Sequence, residues 1–152
     1  MIQIVPFEEK HKADFSRLNL EWLDKYHLTE SHDLQVLNDP SGTILEHGGC
    51  IFLAVDGEQV VGSAALMNEG DGRYELAKMA VSSAYQGRGI SRMLMDACMQ
   101  KAKDLKAKKI LLYSNSQLQR AIKLYSSYGF QHVEVIDSPF VTADVKMEKN
   151  LD

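Results

Sequence analysis

The chain has 152 residues, of which 45% are hydrophobic and 25% charged, and its formal net charge is −4. This length predicts one domain, spanning residues 1–152, with one hydrophobic core. The acidic balance disfavours nucleic-acid and anionic-membrane partners, because proteins that bind them usually carry a basic surface. The sequence shows neither the regions of a signal peptide nor the ~20 consecutive apolar residues of a bilayer span. We therefore expect a cytoplasmic protein.

The cysteines and histidines give no sign of a metal centre. Cys50 and Cys98 belong to no CxxC pair, and the five histidines form no HExxH motif or other paired spacing. We expect two reduced thiols and no bound metal.

The first elements in chain order are a strand and two helices. Residues 2–5 predict a strand that Pro6 ends. Residues 8–26 carry apolar side chains at helical spacing and predict an amphipathic helix. A second, shorter helix follows, and Thr29 or Ser31 is its expected N-cap.

Strands dominate the middle of the chain and alternate with helices after it. Apolar runs predict strands over 50–55, 59–67 and 73–81, with Asp56-Gly57 closing the first hairpin. The elements expected next are a helix over 90–105, a strand over 109–113, a helix over 117–127 that Gly129 ends, and strands over 130–135 and 140–147. This order predicts an α/β protein with a mixed sheet covered by helices.

Residues 81–91 join a strand directly to the long helix. Gly87 and Gly89 allow close backbone approach and positive φ angles. The unpaired N–H groups at the start of a helix, where the dipole is positive, can bind a pyrophosphate, and Arg88 can add a charge-assisted contact. A Walker A motif and a third glycine of the Rossmann fingerprint are both absent. An ordinary strand-to-helix turn is the alternative interpretation.

This segment resembles the acetyl-CoA loop of the GNAT acetyltransferases. The family pattern is Gln or Arg, two residues, Gly, one residue, then Gly or Ala, and Gln86, Gly89 and Ser91 stand in that frame. Ser91 departs from Gly or Ala but is still small. The property that this replacement would affect is the affinity for the coenzyme.

The resemblance extends over nearly the whole chain. Residues 75–81 are similar to the family's fourth strand, and Asn115 with residues 121–130 is similar to its second coenzyme-side motif. The N-terminal helices match in type alone. The implied fold is a mixed, mostly antiparallel sheet of six to seven strands flanked by helices, splayed between the strands ending at Val81 and Tyr113.

The resemblance implies acetyl-CoA as co-substrate, with its pantetheine arm in the wedge between the splayed strands. A backbone N–H, that of Met79, would polarise the thioester carbonyl. Asn115 would contact the arm or, alternatively, cap the following helix. The implied coenzyme contacts are Met79, Ala80, Val81, Gln86, Gly87, Arg88, Gly89, Ile90, Ser91 and Asn115.

The implied reaction is transfer of an acetyl group to a primary amine by direct attack. An alkyl ammonium, with a pKa of ~10, must first lose a proton, and the leaving thiolate is helped by gaining one. Glu75 is the candidate base, with a solvent-facing glutamate or one paired with Lys78 or Arg73 as the alternative. Tyr125 is the candidate acid, with a packed aromatic ring as the alternative.

The acceptor side is less well specified by the sequence. Trp22 and Tyr26, one turn apart on the first helix, and Tyr74, beside Glu75, are candidate substrate contacts, although Trp22 and Tyr26 also suit the core. The expected partner is an amine-bearing small molecule, amino acid or protein, and a homodimer is inferred by analogy. The alternative function is a non-catalytic acyl-CoA-binding regulatory module.

Overall fold

A computed structural model describes residues 1–136 and 138–151. The strands in this part of the chain are β1 (Ile2–Pro6), β2 (Cys50–Asp56), β3 (Gln59–Gly70), β4 (Arg73–Val81), β5 (Lys109–Ser114), β6 (Gln131–Val133) and β7 (Val145–Asn150). The helices are α1 (Lys12–Lys25), α2 (Ser31–Asn38), α3 (Pro40–Thr43), α4 (Ile90–Asp104) and α5 (Gln119–Ser127).

The seven strands form one open sheet in the order β1-β2-β3-β4-β5-β7-β6. Strands β4 and β5 run parallel, and the other neighbouring pairs run antiparallel. In the described residues, β4 pairs with β5 over Arg73, Tyr74 and Glu75. Because β4 continues to Val81 and β5 to Ser114, the two strands separate beyond that pairing, which confirms the predicted splayed sheet.

Two hydrophobic clusters cover the two faces of the sheet. On one face, α4 and α5 pack residues such as Leu94, Cys98 and Ile122 against the strands. On the other face, α1 and α2 supply Phe15 and Leu37 among others. Because helices cover both faces of the sheet, residues from both helical layers can line the wedge between β4 and β5.

A β-bulge interrupts the pairing of β3 with β4. The register shifts between Ser63 and Ala65, and Lys78 has a φ of +54°. The extra residue reverses the alternation of side chains along β4. Leu76 and Met79 therefore both face α4, while Lys78 turns to the α1 and α2 side, as Glu75 does.

The structure corrects two expectations, one for the N-cap of α2 and one for the last two strands. Helix α2 begins after Glu30, whose N–H donates to the Asp33 side chain, so neither Thr29 nor Ser31 is the N-cap. Thr29 instead donates its hydroxyl hydrogen to Asp24.

The last two strands, predicted over 130–135 and 140–147, are shorter: β6 covers 131–133 and β7 covers 145–150. Strand β7 begins late because residues 138–144 lie outside the sheet and pack near the start of α2. No helix in residues 1–136 and 138–151 combines the length and apolar character needed to cross a membrane.

Candidate active site

A cavity of about 740 Å³ lies where β4 and β5 separate. The loop before α4, the first turn of α4, and α5 line one side of it. The C-terminal half of α1, the start of α2, and Phe140, Thr142 and Ala143 line the other side. We call these two sides the α4/α5 wall and the α1/α2 wall.

The glycine loop of the α4/α5 wall has the geometry of an anion site. Gly87 and Gly89 have φ angles of +81° and +77°, and a Cβ at either position would meet no atom within 4 Å. The left-handed backbone, and not crowding, therefore favours glycine here. Gly89 caps α4 without a side-chain hydrogen bond, and Gln86 braces the loop by donating to the Val81 carbonyl at 3.4 Å. The backbone at this helix start is open to a phosphate group.

The basic side chains along this wall are not the one predicted from the sequence, which was Arg88. Arg88 is exposed and lies over the Tyr85 ring at 4.7 Å, outside the cavity lining. Arg92, Arg120 and Lys123 line the cavity instead. Arg92 comes four residues after Arg88, and Arg120 and Lys123 are three residues apart on α5, so both pairs have helical spacing. This spacing of basic residues could have been found in the sequence but was not predicted. These residues fit a polyanionic co-substrate.

A buried chain of hydrogen bonds fixes the bulge in β4. The Ser63 hydroxyl donates to the Lys78 carbonyl at 2.6 Å. The Asn19 amide donates to the Ser63 oxygen and to the Phe15 carbonyl, both at 3.0 Å. This chain ties α1 and β3 to the segment of β4 that includes Met79, which lines the cavity with Ala80, Val81, Ile90 and Ser91.

Glu75 is a buried cavity residue, with 3% of its surface exposed. Burial, and then a hydrogen bond with Glu69 and the charge of that carboxylate, raises the pKa of Glu75 to about 8, while the charge of Lys78 opposes the rise. The alternative of a solvent-facing glutamate is therefore wrong. Lys78 forms its ion pair with Asp33, and Arg73 is exposed.

Tyr125 lines the cavity from α5 with 7% of its surface exposed. Burial, with a smaller effect of Cys98, raises the pKa of Tyr125 to about 12. Its ring packs edge-on against Phe130 at 6.2 Å, so the packing alternative describes its surroundings too. Within residues 1–136 and 138–151, no hydrogen bond of the Tyr125 hydroxyl is found. Tyr128 is engaged elsewhere, donating to Asp96 at 2.7 Å.

The α1/α2 wall contains an ion pair that the sequence did not reveal. The Lys78 ammonium lies 2.5 Å from Asp33 Oδ1, and these side chains are 5% and 3% exposed. Asp33 Oδ2 accepts the Glu30 N–H at 2.9 Å. The same ammonium lies 5.6 Å from the centre of the Phe140 ring. Lys78 reaches this wall because the bulge turns it there.

Two of the three predicted acceptor contacts lie in the cavity wall. Trp22 and Tyr26 both line the cavity and meet edge-to-face, with ring centres 5.3 Å apart. Tyr74 does not: it is buried in the cluster beneath α4, because neighbouring strand residues point to opposite faces. Tyr74 is therefore removed from the candidate acceptor contacts.

Residues 138–144, which the sequence assigned largely to a strand, close the far end of this wall. The Glu30 carboxylate accepts the N–H groups of Val141 and Thr142, each at 2.8 Å. Asn115 lines the cavity, donates to the Thr142 carbonyl at 2.8 Å and accepts the Gln117 N–H at 3.0 Å. The Asn115 side chain thus stabilises the turn before α5 and anchors the segment.

Phe140 is the side chain that this segment adds to the cavity. Its ring meets His32 and Tyr113, with ring centres 5.0 Å and 6.1 Å away. No group of three or more His, Cys, Asp or Glu residues suited to a metal ion is found in the described part of the chain.

Comparison with known proteins identifies the family. A family model described as acetyltransferase (GNAT) family matches residues 12–130. N-acetylaspartate synthetase of Xenopus tropicalis is 38% identical over 95 residues, which cover 62% of this chain and 35% of that protein. The uncharacterized N-acetyltransferase YvbK of Bacillus subtilis is 30% identical over 115 residues, 73% of each chain. The chain therefore belongs to the GNAT acetyltransferase family.

The chain spans 35% to 40% of the length of several curated relatives that it matches.

Solved structures agree with the fold. A GNAT-family acetyltransferase from Staphylococcus aureus Mu50 has a TM-score of 0.92 at 21% identity, with both chains fully covered. The Salmonella typhimurium protein yncA, solved with its cofactor acetyl-CoA, has a TM-score of 0.79 at 20% identity, covering 100% of this chain and 95% of its own.

Proposed function

We propose that the protein transfers an acetyl group from acetyl-CoA to a primary amine by direct attack. The observation that carries the proposal is that Glu75 and Tyr125 line one cavity from opposite layers of the fold, at the point where β4 and β5 separate. Acetyl-CoA, when bound, supplies the activated thioester. The residues of the chain supply its binding, orientation and proton transfer.

The α4/α5 wall is suited to the coenzyme. The amides around Gly87 and Gly89 and the side chains of Arg92, Arg120 and Lys123 would bind phosphate groups. The relative yncA carries acetyl-CoA in its own structure, which supports the same co-substrate here. The N–H of Met79, on the bulged strand, would donate to the thioester carbonyl as negative charge develops on its oxygen.

Glu75 would take the proton that the acceptor ammonium must lose. A carboxylate with an ordinary pKa is a weak base, but a pKa of about 8 lies within ~2 units of the pKa of an alkyl amine. Transfer from the ammonium to Glu75, directly or through water, is then only slightly uphill. The free amine attacks the thioester carbonyl carbon, a C–N bond forms and the C–S bond breaks. The second proton of the attacking nitrogen ends on the departing thiolate, which leaves as free CoA thiol, and Glu75 returns the first proton to solvent.

Tyr125 would stabilise the departing sulfur. Its pKa of about 12 keeps the phenol protonated across the range in which the protein would work. A thiol, at ~8.5, is the stronger acid, so the phenol acts by hydrogen bonding to the developing thiolate more than by complete proton transfer. Any proton that Tyr125 gives up returns from solvent.

The experiment is to mix the purified protein, acetyl-CoA and a panel of primary amines and to measure thiol release and acetylated product. We expect turnover, and we expect Tyr125→Phe to lower kcat roughly tenfold or more while the affinity for CoA stays unchanged. Tyr128→Phe is the matched control and should behave like the parent protein. Binding of acetyl-CoA without transfer to any amine would contradict the proposal and favour the non-catalytic module.

A further inference from the structure

The two walls of the cavity differ in charge. Three cations, Arg92, Arg120 and Lys123, line the α4/α5 wall. The α1/α2 wall is mostly apolar and aromatic, and the residues that matter here are Trp22, Tyr26, Asp33, Glu75, Lys78 and Phe140. An acceptor bound on that side meets its charges in a largely desolvated setting, where an unpaired charge is costly.

Lys78 offers no free positive charge to an acceptor. Its ammonium pairs with Asp33 at 2.5 Å, and both side chains are at least nine-tenths buried. The second oxygen of Asp33 accepts the Glu30 N–H, so the carboxylate is fixed in place. The positive charge is therefore matched inside the protein before any acceptor arrives.

Other nearby cations are also paired or lie outside the cavity lining. Lys25 is exposed at the surface, 5.5 Å from the centre of the Tyr26 ring, and does not line the cavity. Lys146 lies above the Tyr113 ring but pairs with Glu148 at 3.8 Å and is not part of the lining. Arg17, on α1, pairs with Glu21 at the surface. In the described part of the α1/α2 wall, Glu75 is the one carboxylate without a cationic partner, and no unpaired cation faces it.

We propose that the acceptor is a small primary amine with an apolar or aromatic body and no carboxylate. The ammonium group would sit beside Glu75, and the apolar body would lie against Trp22, Tyr26 and Phe140. A carboxylate on the acceptor would find no partner on this wall and would face Glu75. This proposal rests on the proposed function for its site and adds the class of substrate.

The test compares amines with the amino acids from which they differ by one carboxylate. Phenethylamine is compared with phenylalanine, and isoamylamine with leucine, at fixed saturating acetyl-CoA. We expect kcat/KM for each amine to exceed that of its amino acid at least about tenfold, since an unpaired buried carboxylate costs more than 1.4 kcal/mol. Equal rates, or faster acetylation of the amino acids, would overturn the proposal.

Binding is measured separately, so that the two proposals fail differently. Calorimetry with the CoA-loaded protein reports acceptor affinity without any transfer. Selective binding of the amines without turnover would overturn the proposed transfer and support the acceptor class. Equal affinity for both members of each pair, or affinity for neither, would overturn the acceptor class.

Variants of the ion pair address the cause of the selectivity. Asp33→Asn leaves Lys78 unpaired, and the ratio of amine to amino-acid kcat/KM should fall about tenfold as a substrate carboxylate takes the place of Asp33. The double variant Asp33→Asn with Lys78→Gln restores a neutral, hydrogen-bonded pair and should restore the parent ratio even if overall activity falls. Asp71→Asn, an exposed position at φ +56° that asparagine tolerates, is the charge-matched control. An unchanged ratio in folded Asp33→Asn protein would contradict this origin of the selectivity.

Discussion

The α4/α5 wall and the α1/α2 wall bind their ligands by different physical means. The first offers backbone amides around two left-handed glycines and exposed cations, all within a short stretch of chain and one neighbouring helix. The second offers buried side chains whose charges compensate one another, with Glu75 as the exception. The first wall is suited to a solvated polyanion and the second to an ammonium that leaves water on binding.

The difference has a consequence for robustness. A site built from backbone amides depends on local conformation, whereas a site built from buried charges depends on the whole arrangement of α1, α2 and the bulged strand. Changes in the glycine loop and in the cations of the first wall should therefore act on coenzyme affinity and leave the chemical step unchanged. Changes in the second should act on the chemical step and on stability together.

Glu75→Gln should have the largest effect on activity, because it removes the candidate base, the carboxyl group that has no cationic partner in the described part of the α1/α2 wall. We expect kcat to fall ~10²–10⁴-fold, the usual contribution of a general base, with CoA affinity unchanged. In the parent, kcat/KM should rise with pH through about 8, since Glu75 must be deprotonated to accept a proton. That limb should vanish in the variant and leave the titration of the amine itself. Persistence of the limb near 8 in Glu75→Gln would assign it to another group.

The same substitution should change how stability depends on pH. The pKa of Glu75 is raised in the folded protein, so between about pH 4.5 and 8 the native state retains a proton that the unfolded chain releases. The free energy of unfolding of the parent therefore falls as pH rises through that window. Glu75→Gln has no proton to lose, and its stability relative to the parent should increase by about 1–3 kcal/mol between pH 5 and pH 8.5. Urea denaturation at both pH values measures this, with exposed Glu58→Gln as the control that should show no such trend.

Gly89→Ala tests the α4/α5 wall. A Cβ at a φ of +77° should cost about 1–2 kcal/mol in the native state and misplace the amides, raising the Kd for CoA roughly tenfold. Gly57→Ala is the matched control, since Gly57 also has positive φ, +62°, and open space around it, but lies in the turn between β2 and β3. Both variants should lose similar stability, and Gly89→Ala alone should lose coenzyme affinity. The contrast between the walls would be contradicted if Gly89→Ala raised the KM for the acceptor and left the Kd for CoA unchanged.

The two walls also differ in how far sequence predicts them. The glycine loop and the long helix after it are local patterns, so periodicity and glycine positions predict them, and the family resemblance predicts the splayed sheet. The Asp33–Lys78 pair joins residues 45 positions apart and forms because a bulge reverses the side-chain alternation of β4, which no local pattern shows. The same alternation explains why Tyr74, adjacent to Glu75, lies in the core. The apolar pattern around Phe140 predicts a strand. The segment instead contacts Glu30, which is more than 100 residues earlier in the sequence, and no local pattern shows that contact. The cytoplasmic location and the homodimer stay predictions.

Ser63→Ala should have the smallest effect on activity and tests whether the bulge is part of the catalytic geometry. The substitution leaves the buried Lys78 carbonyl without its hydroxyl donor and the Asn19 amide with the Phe15 carbonyl as its remaining partner. We expect a loss of about 1–3 kcal/mol in the free energy of unfolding, because a buried acceptor is left unsatisfied. We also expect a several-fold decrease in kcat, because the Met79 amide loses its fixed orientation, with little change in CoA affinity. Ser127→Ala removes a hydroxyl that likewise donates to a carbonyl at 2.6 Å, but on the exposed side of α5, and should change neither quantity appreciably. If Ser63→Ala lost stability but kept the parent kcat, the hydrogen-bonded chain from α1 would serve folding alone, and the bulge would retain its shape without it.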